Sequence, residues 1–330
     1  MIILVILWKE LLILEIKNYC KTMNNNIPLW IKEILENDDI ILKSSPIKSG
    51  NIIVYSSSVA GAKKLKSKIS VAFFRDGPFL PISTGAANSI YWMMDSLIDA
   101  GIKVYLFYCY RGWSKMSLYK GERFTTVFIS SDDFYSNSKI IKDIVEEYGI
   151  DICHFDSAEA VCFQKKLLPK DCKVVFEVHN VESDLSVQFK LSGHIVNYIK
   201  DKEKEAIQLS DVVLVRSDDN YSKIIQLGCD KNKLFKYRGG INVDDIKYVR
   251  RRELLKNNIL FLGHLNYGPN QQAVEIITNK IAPKLNKKFI IAGKGALKLN
   301  KKLSSSNVEF IGWVEDLNKL FSTIDVAIAR

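Results

Sequence analysis

From Ile69 onward, short apolar runs alternate with longer amphipathic stretches, and this alternation is what most constrains the chain. Ser70-Val-Ala-Phe-Phe74, Lys103 to Tyr108, Phe124 to Ile129, Ile152 to Phe155, Lys173 to Val178 and Val212 to Val215 are too short for helices and too uniformly apolar for half-exposed strands. Such runs read as strands of a parallel sheet covered on both faces. Between them, 88–98 reads as a helix closed by Gly101, 140–148 as a helix closed by Gly149, and 185–209 as a long helical region with many charges. Strand and helix in strict alternation predict an α/β fold.

The pattern restarts after a break. Gly239-Gly240, followed by Asn242, Asp244 and Asp245, marks the end of a first domain, and the basic run from Lys247 to Lys256 reads as a linker. The second series begins with Asn258-Ile-Leu-Phe-Leu262, which ends at Gly263. Pro269 and Asn270 then open an amphipathic segment, 271–277. Phe289 to Ala292 ends in Gly293-Lys294-Gly295, and Val308 to Ile311 ends in Gly312-Trp313-Val314. A glycine turn between a strand and a helix start points backbone N–H groups outward, commonly at an anion.

The ordered set of Gly263 with Pro269-Asn270, Ile281-Ala-Pro283, Ile291-Ala-Gly293, Phe310 to Asp316 and Phe321 to Ala327 resembles the donor half of the family-four (group 1) glycosyltransferases. His179-Asn-Val-Glu182 and Gly239 to Asp244 extend the resemblance into the first half, so that it covers residues 69–330. It implies a GT-B fold, two facing Rossmann-like domains. The expected layout is an N-terminal extension (1–68), an acceptor-side domain (69–245), a linker (246–256) and a partial nucleotide-sugar domain (257–330). The same comparison implies a glycine-rich loop and a pair of glutamates in the segment after Asp325 to Ala329. The chain ends at Arg330, so it reads as a fragment or as a chain without that donor clamp.

By resemblance, the protein moves a hexose from a nucleotide diphosphate sugar to a glycan or lipid-linked acceptor, as in polysaccharide biosynthesis. Retention of configuration and independence of metal and cofactor are implied with it. A sugar-nucleotide-binding module without activity, and a nucleotide-sugar epimerase, are the alternative readings.

His179 is the catalytic candidate. It follows a strand, at the carboxyl edge where open α/β sheets bind ligands, and an imidazole there can donate to a sugar hydroxyl or move a proton. The resemblance makes it the sugar-contacting histidine; a histidine that merely caps the next helix is the bland alternative. Asn180 and Glu182 stand ready to orient it or to bind acceptor hydroxyls. Arg216, ending the Val212 strand, suits a phosphate or a plain surface pair. Thr84 and Gly85 precede the first helix, where the resemblance brings a glycine loop to the donor phosphates and where a simple connecting turn serves equally. On the donor side the resemblance implies contacts from Gly263, His264, Asn270, Lys294, Gly312, Trp313 and Val314. Val314 would offer backbone hydrogen bonds to the base, Lys294 is equally an exposed turn lysine, and Trp313 is equally core.

Bulk properties exclude other classes. Apolar residues make up 47% and charged residues 25% of the chain, as in a globular protein. The net charge of +10 comes from scattered lysines, with Arg250-Arg251-Arg252 the one tight cluster, and no nucleic-acid motif accompanies it. The six cysteines form no C-x-x-C pair, which suits a reducing cytoplasm and argues against a zinc site. Met1 to Trp8 is apolar but far shorter than the ~20 residues needed to span a bilayer. It reads as an added element or as an interfacial anchor giving peripheral membrane contact. Walker, nucleophile-elbow and full Gly-x-Gly-x-x-Gly patterns are absent.

Overall fold

A computed structural model describes residues 53–55, 69–82, 84–111, 115–119, 122–136, 139–237, 258–300, 303 and 305–328. The Gly239-Gly240 crossover, the 246–256 linker, the Arg250 to Arg252 cluster and nearly all of the 1–68 extension lie outside the described residues. By internal contacts the chain divides into two units, 1–240 and 241–330.

The first unit is built on eight strands: β1 (Ile53–Tyr55), β2 (Ser70–Asp76), β3 (Lys103–Tyr110), β4 (Thr125–Ser130), β5 (Ile152–Phe155), β6 (Lys173–Val178), β7 (Val212–Val215) and β8 (Leu234–Lys236). Their order across the sheet is β1-β4-β3-β2-β5-β6-β7-β8. All neighbours are parallel except β1 and β4. The chain therefore winds outward from β2 through β3 to β4, then returns to lay β5 on the other side of β2. That reversal opens the crevice in which doubly wound sheets hold ligands, at the carboxyl ends of β2 and β5.

Both faces of this sheet are covered, and the residues say why. Ala72 and Phe74 of β2, with Tyr105, Phe107 and Cys109 of β3, point into one apolar cluster. Val71 and Phe73, with Val104, Leu106 and Tyr108, point into the other. The strands read as unbroken apolar runs because each alternate side chain meets a core.

The helices follow the expected places, and the structure resolves the long helical region further. The segment 185–209 is two helices, Glu182–Gln188 and Gly193–Leu209. Lys190 between them takes a positive φ of 56°, a left-handed residue that stops the first helix and turns the chain. Three short elements carry too little periodicity to be read from sequence: the helices Ala158–Gln164 and Asp218–Gln226, and strand β8.

The second unit has four parallel strands, β9 (Asn258–Leu262), β10 (Lys288–Ala292), β11 (Val308–Ile311) and β12 (Val326–Ile328), in the order β11-β10-β9-β12. This is again the Rossmann-type reversal about the first strand. Phe261, Phe289, Ile291 and Phe310 pack with Val274 of the helix Gly268–Ile276. Leu260, Ile290 and Ala292 pack with Leu320 and Ile324 on the other face. Among the described residues, no helix is long and apolar enough to cross a membrane.

Candidate active site at two sheet edges

In the first unit, the carboxyl edge of the sheet gathers charge. Glu177 lies one residue before the carboxyl end of the largely apolar strand β6 and is fully buried. A lone buried carboxylate is costly, so its partners matter. Its Oε1 accepts from Arg216 Nε at 2.9 Å, from Arg216 Nη2 and from the Tyr237 hydroxyl at 2.5 Å. His154 Nε2 lies 3.2 Å from Oε2 without the alignment of a hydrogen bond. Burial alone would raise the Glu177 carboxyl; His154, His179 and Arg216 outweigh it and hold the group well below the usual carboxylate range. The Tyr237 hydroxyl is pushed well up by burial and by Glu177, so it stays protonated and donates.

His179 follows directly on β6, as expected from sequence. Its Nδ1 is 3.6 Å from Glu177 Oε1 and its Nε2 is 4.0 Å from Asp156 Oδ2. Asp156 is paired with Arg75, which comes from the end of β2 at the sheet reversal. Burial, and after it the two arginines acting against the two carboxylates, hold the His179 imidazole below its ordinary value, so the ring is neutral near pH 7. The carbonyl of His179 accepts from the Asn220 amide at 3.3 Å. The side chain caps no helix: the helix Glu182–Gln188 starts after Val181, without a side-chain cap from that residue.

That helix start is filled from elsewhere. Glu203, buried on the helix Gly193–Leu209, accepts from the Glu182 N–H at 2.6 Å and the Ser183 N–H at 3.3 Å. An N-terminus of this kind attracts anions, and here the protein supplies its own carboxylate. Asn180 and Glu182 are exposed beside it and joined to each other at 3.4 Å.

Thr84 and Gly85 begin the first helix, Gly85–Asp99. The Thr84 Oγ1 accepts from the Ala87 N–H at 3.2 Å and caps it. A Cβ added at Gly85 would meet nothing within 4 Å. Neither packing nor backbone conformation requires glycine there.

The second unit's edge is made of backbone. Gly293 has a φ of +123°, and a Cβ on it would stand 2.0 Å from the Gly263 carbonyl oxygen. Gly263 N–H donates to the Ala292 carbonyl at 3.1 Å, Leu265 N–H to Lys294 at 2.7 Å, and Gly293 N–H to Gly312 at 2.9 Å. The ends of β9, β10 and β11 are thus laced to each other through their glycine turns. Asn270 braces the first turn by donating to the His264 carbonyl at 3.1 Å. His264 is half-buried, its imidazole lowered by burial and by Lys294. Lys294 is exposed, Trp313 is exposed at 58%, and Val314 packs partly against the Leu260 cluster. Trp313 is therefore not core, and Val314 is in part.

The sequence singles out His179, Asn180, Glu182 and Arg216, and the sheet brings them to one edge. It gives no reason to single out Arg75, Asp156, His154, Tyr237 or Glu203. Glu177 did carry a signal, a carboxylate inside an otherwise apolar strand. Among the described residues, no group of three or more His, Cys, Asp or Glu is arranged to hold a metal ion.

Comparison with known proteins agrees with this architecture. The family model described as Glycosyl transferases group 1 matches residues 256–330. No curated protein matches the chain. Among solved structures, sucrose-phosphate synthase from Thermosynechococcus elongatus is 13% identical with a TM-score of 0.62, over 79% of this chain and 75% of that one. Anabaena Alr3699/HepE, in complex with UDP and glucose, is 14% identical with a TM-score of 0.56, over 78% and 73%. A glycosyltransferase from Rickettsia africae ESF-5 is 14% identical with a TM-score of 0.53, over 79% and 72%. At such identity the structures speak for the fold, which is GT-B, with two Rossmann-like units. The second unit, over residues 256–330, matches the group 1 glycosyl transferase family and is carried on that fold.

Proposed function

We propose that this glycosyltransferase moves a hexose from a nucleotide diphosphate sugar to a glycan or lipid-linked acceptor, retaining the anomeric configuration and using no metal. The observation that carries this reading is His179. A neutral imidazole stands at the carboxyl edge of β6, beside the sheet reversal, in a protein whose second unit matches the group 1 family. UDP and glucose bound to the structurally similar HepE support a uridine diphosphate sugar as the donor to try first.

In this reading His179 contacts the sugar near the reacting centre, and its neutral ring can accept or donate a hydrogen bond there. Asn180 and Glu182, exposed beside it, take acceptor hydroxyls. Gly85, with open space at its Cα, lets a ligand phosphate approach the backbone N–H groups of its helix start. In the second unit, Gly263, His264, Asn270, Lys294, Gly312, Trp313 and Val314 hold the nucleotide. Exposed Lys294 would meet the phosphates, and exposed Trp313 would stack on the base. Arg216 has a guanidinium joined to Glu177, so its part is to fix the edge more than to seize phosphate. Peripheral membrane contact through the apolar start, residues 1–8, fits a lipid-linked acceptor; those residues lie outside the described ones.

The test is release of UDP from UDP-glucose, and from a panel of other nucleotide sugars, with glycan and polyprenyl-phosphate acceptors. Turnover should appear with at least one pair and fall about ten- to a thousandfold in His179→Ala, the range for loss of an oriented proton-transfer or hydrogen-bonding group. Binding of UDP with no turnover on any pair would favour the binding-module reading. Turnover unchanged in His179→Ala would remove the histidine from the mechanism.

A further inference from the structure

The imidazole of His179 lies between two carboxylates, and each carboxylate is already tied to an arginine. Nδ1 faces Glu177, which holds Arg216 and Tyr237. Nε2 faces Asp156, which holds Arg75. The separations of 3.6 and 4.0 Å are contacts of charge and shape and too long for hydrogen bonds. Nε2 is buried with no hydrogen-bond partner. The four flanking groups come from four places in the sheet: Arg75 from β2, Asp156 from the turn after β5, Glu177 from β6 and Arg216 from the turn after β7. His154 on β5 and Tyr237 after β8 lie against Glu177.

A single buried carboxylate beside the ring would draw a proton onto it and make it a cation with two donors. A single arginine would repel that proton and leave the ring free to turn. We propose that Asp156 and Glu177, each with its arginine, are positioning residues that flank His179 on its two nitrogens, balance the charge around it and hold its plane at the sheet edge. Two opposed pairs fix the ring without using either of its hydrogen bonds. Burial is the first cause of the lowered proton affinity of His179, and the flanking carboxylates and arginines oppose one another within it. The inference rests on reading His179 as the sugar-contacting group, but its test needs no substrate.

The test is a pH titration of the side-chain nitrogens in the full chain by NMR. There are four histidines, and the His179 signal is the one lost in His179→Ala. Arg75→Gln leaves Asp156 uncompensated, and the protonated fraction of His179 at a fixed pH on the basic side of its midpoint should rise about tenfold, as for a shift of one unit. Asp156→Asn, of the same shape, should lower it by a similar factor. Arg75→Lys keeps the charge and should restore the wild-type curve. If Arg75→Gln does not fold, Asp156→Asn decides alone. A His179 curve that is the same in wild type and Asp156→Asn, with the amide spectrum intact, would overturn the proposal. A shifted curve with no turnover on any nucleotide sugar would keep the positioning device and discard the transferase reading.

Discussion

The two sheet edges solve the same problem with different material. In the first unit, side chains do the work: five charged or titratable groups from strands far apart in sequence converge on His179 and Glu177. In the second, the carboxyl edge is backbone, with Gly263, Gly293 and Gly312 laced by their own N–H and carbonyl groups. A side-chain edge can be tuned by single substitutions, because each member is one group in a balance. A backbone edge tolerates little change, because there is no atom to shorten. The difference lies in glycine itself. At Gly293 the chain needs both a positive φ and the missing Cβ, whereas at Gly85 it needs neither.

The sharpest way to break this contrast is Gly293→Ala. The new methyl would collide with a backbone carbonyl and the residue would sit at a φ that L-residues avoid, so the second unit should lose on the order of 4 kcal/mol. Hydrogen exchange over residues 258–328 would read it out. A loss below about 1 kcal/mol would mean that the turns part easily and that the edge is not rigid.

Acid should act on the first unit through Glu177. Its carboxyl is depressed in the folded state, so its contribution is complete above the usual carboxylate range and is lost as pH falls toward the depressed value. Between about pH 5 and pH 2, wild type should lose about 2 kcal/mol more than Glu177→Gln does, as measured by denaturant melts at each pH. Parallel curves for the two proteins would show that the network around Glu177 does not bind protons differently on folding.

The smallest effect is the most telling for ligand binding. Gly85→Ala should change stability by no more than about 0.5 kcal/mol, since nothing surrounds the added methyl. If a phosphate approaches there, the same methyl should weaken UDP-glucose binding about tenfold by calorimetry, the effect of ~1.4 kcal/mol. Unchanged affinity would leave Gly85 as a plain connecting residue.

Much of the fold was legible in the sequence because buried parallel strands must be apolar on both faces. Ser70 to Phe74, Lys173 to Val178 and Asn258 to Leu262 announced themselves in that way. The helix break near Lys190 was not legible, because the charged run on both sides carries one continuous pattern and a lysine gives no warning of a positive φ. The site was legible in part. His179 stands at a strand end, which a sequence shows. Its neighbours Arg75 and Asp156 stand next to it only because the sheet order puts β5 between β2 and β6, and no local pattern encodes that order.

The carboxylate of Glu203, set into the start of the helix Glu182–Gln188, has a consequence for how a ligand would be received. The stretch Asn180-Val181 joins a strand end to a helix whose first N–H groups are bolted to another helix. Its helix end cannot move without pulling a carboxylate out of a buried seat. The entropy of ordering this segment is therefore lost when the chain folds and not when a sugar arrives. On the reading of His179 proposed above, a sugar would meet a surface already in its final shape, and selection there would depend on which hydroxyls fit a fixed outline. Discrimination at this edge should thus show itself in how fast the wrong sugar leaves, more than in how slowly the right one enters.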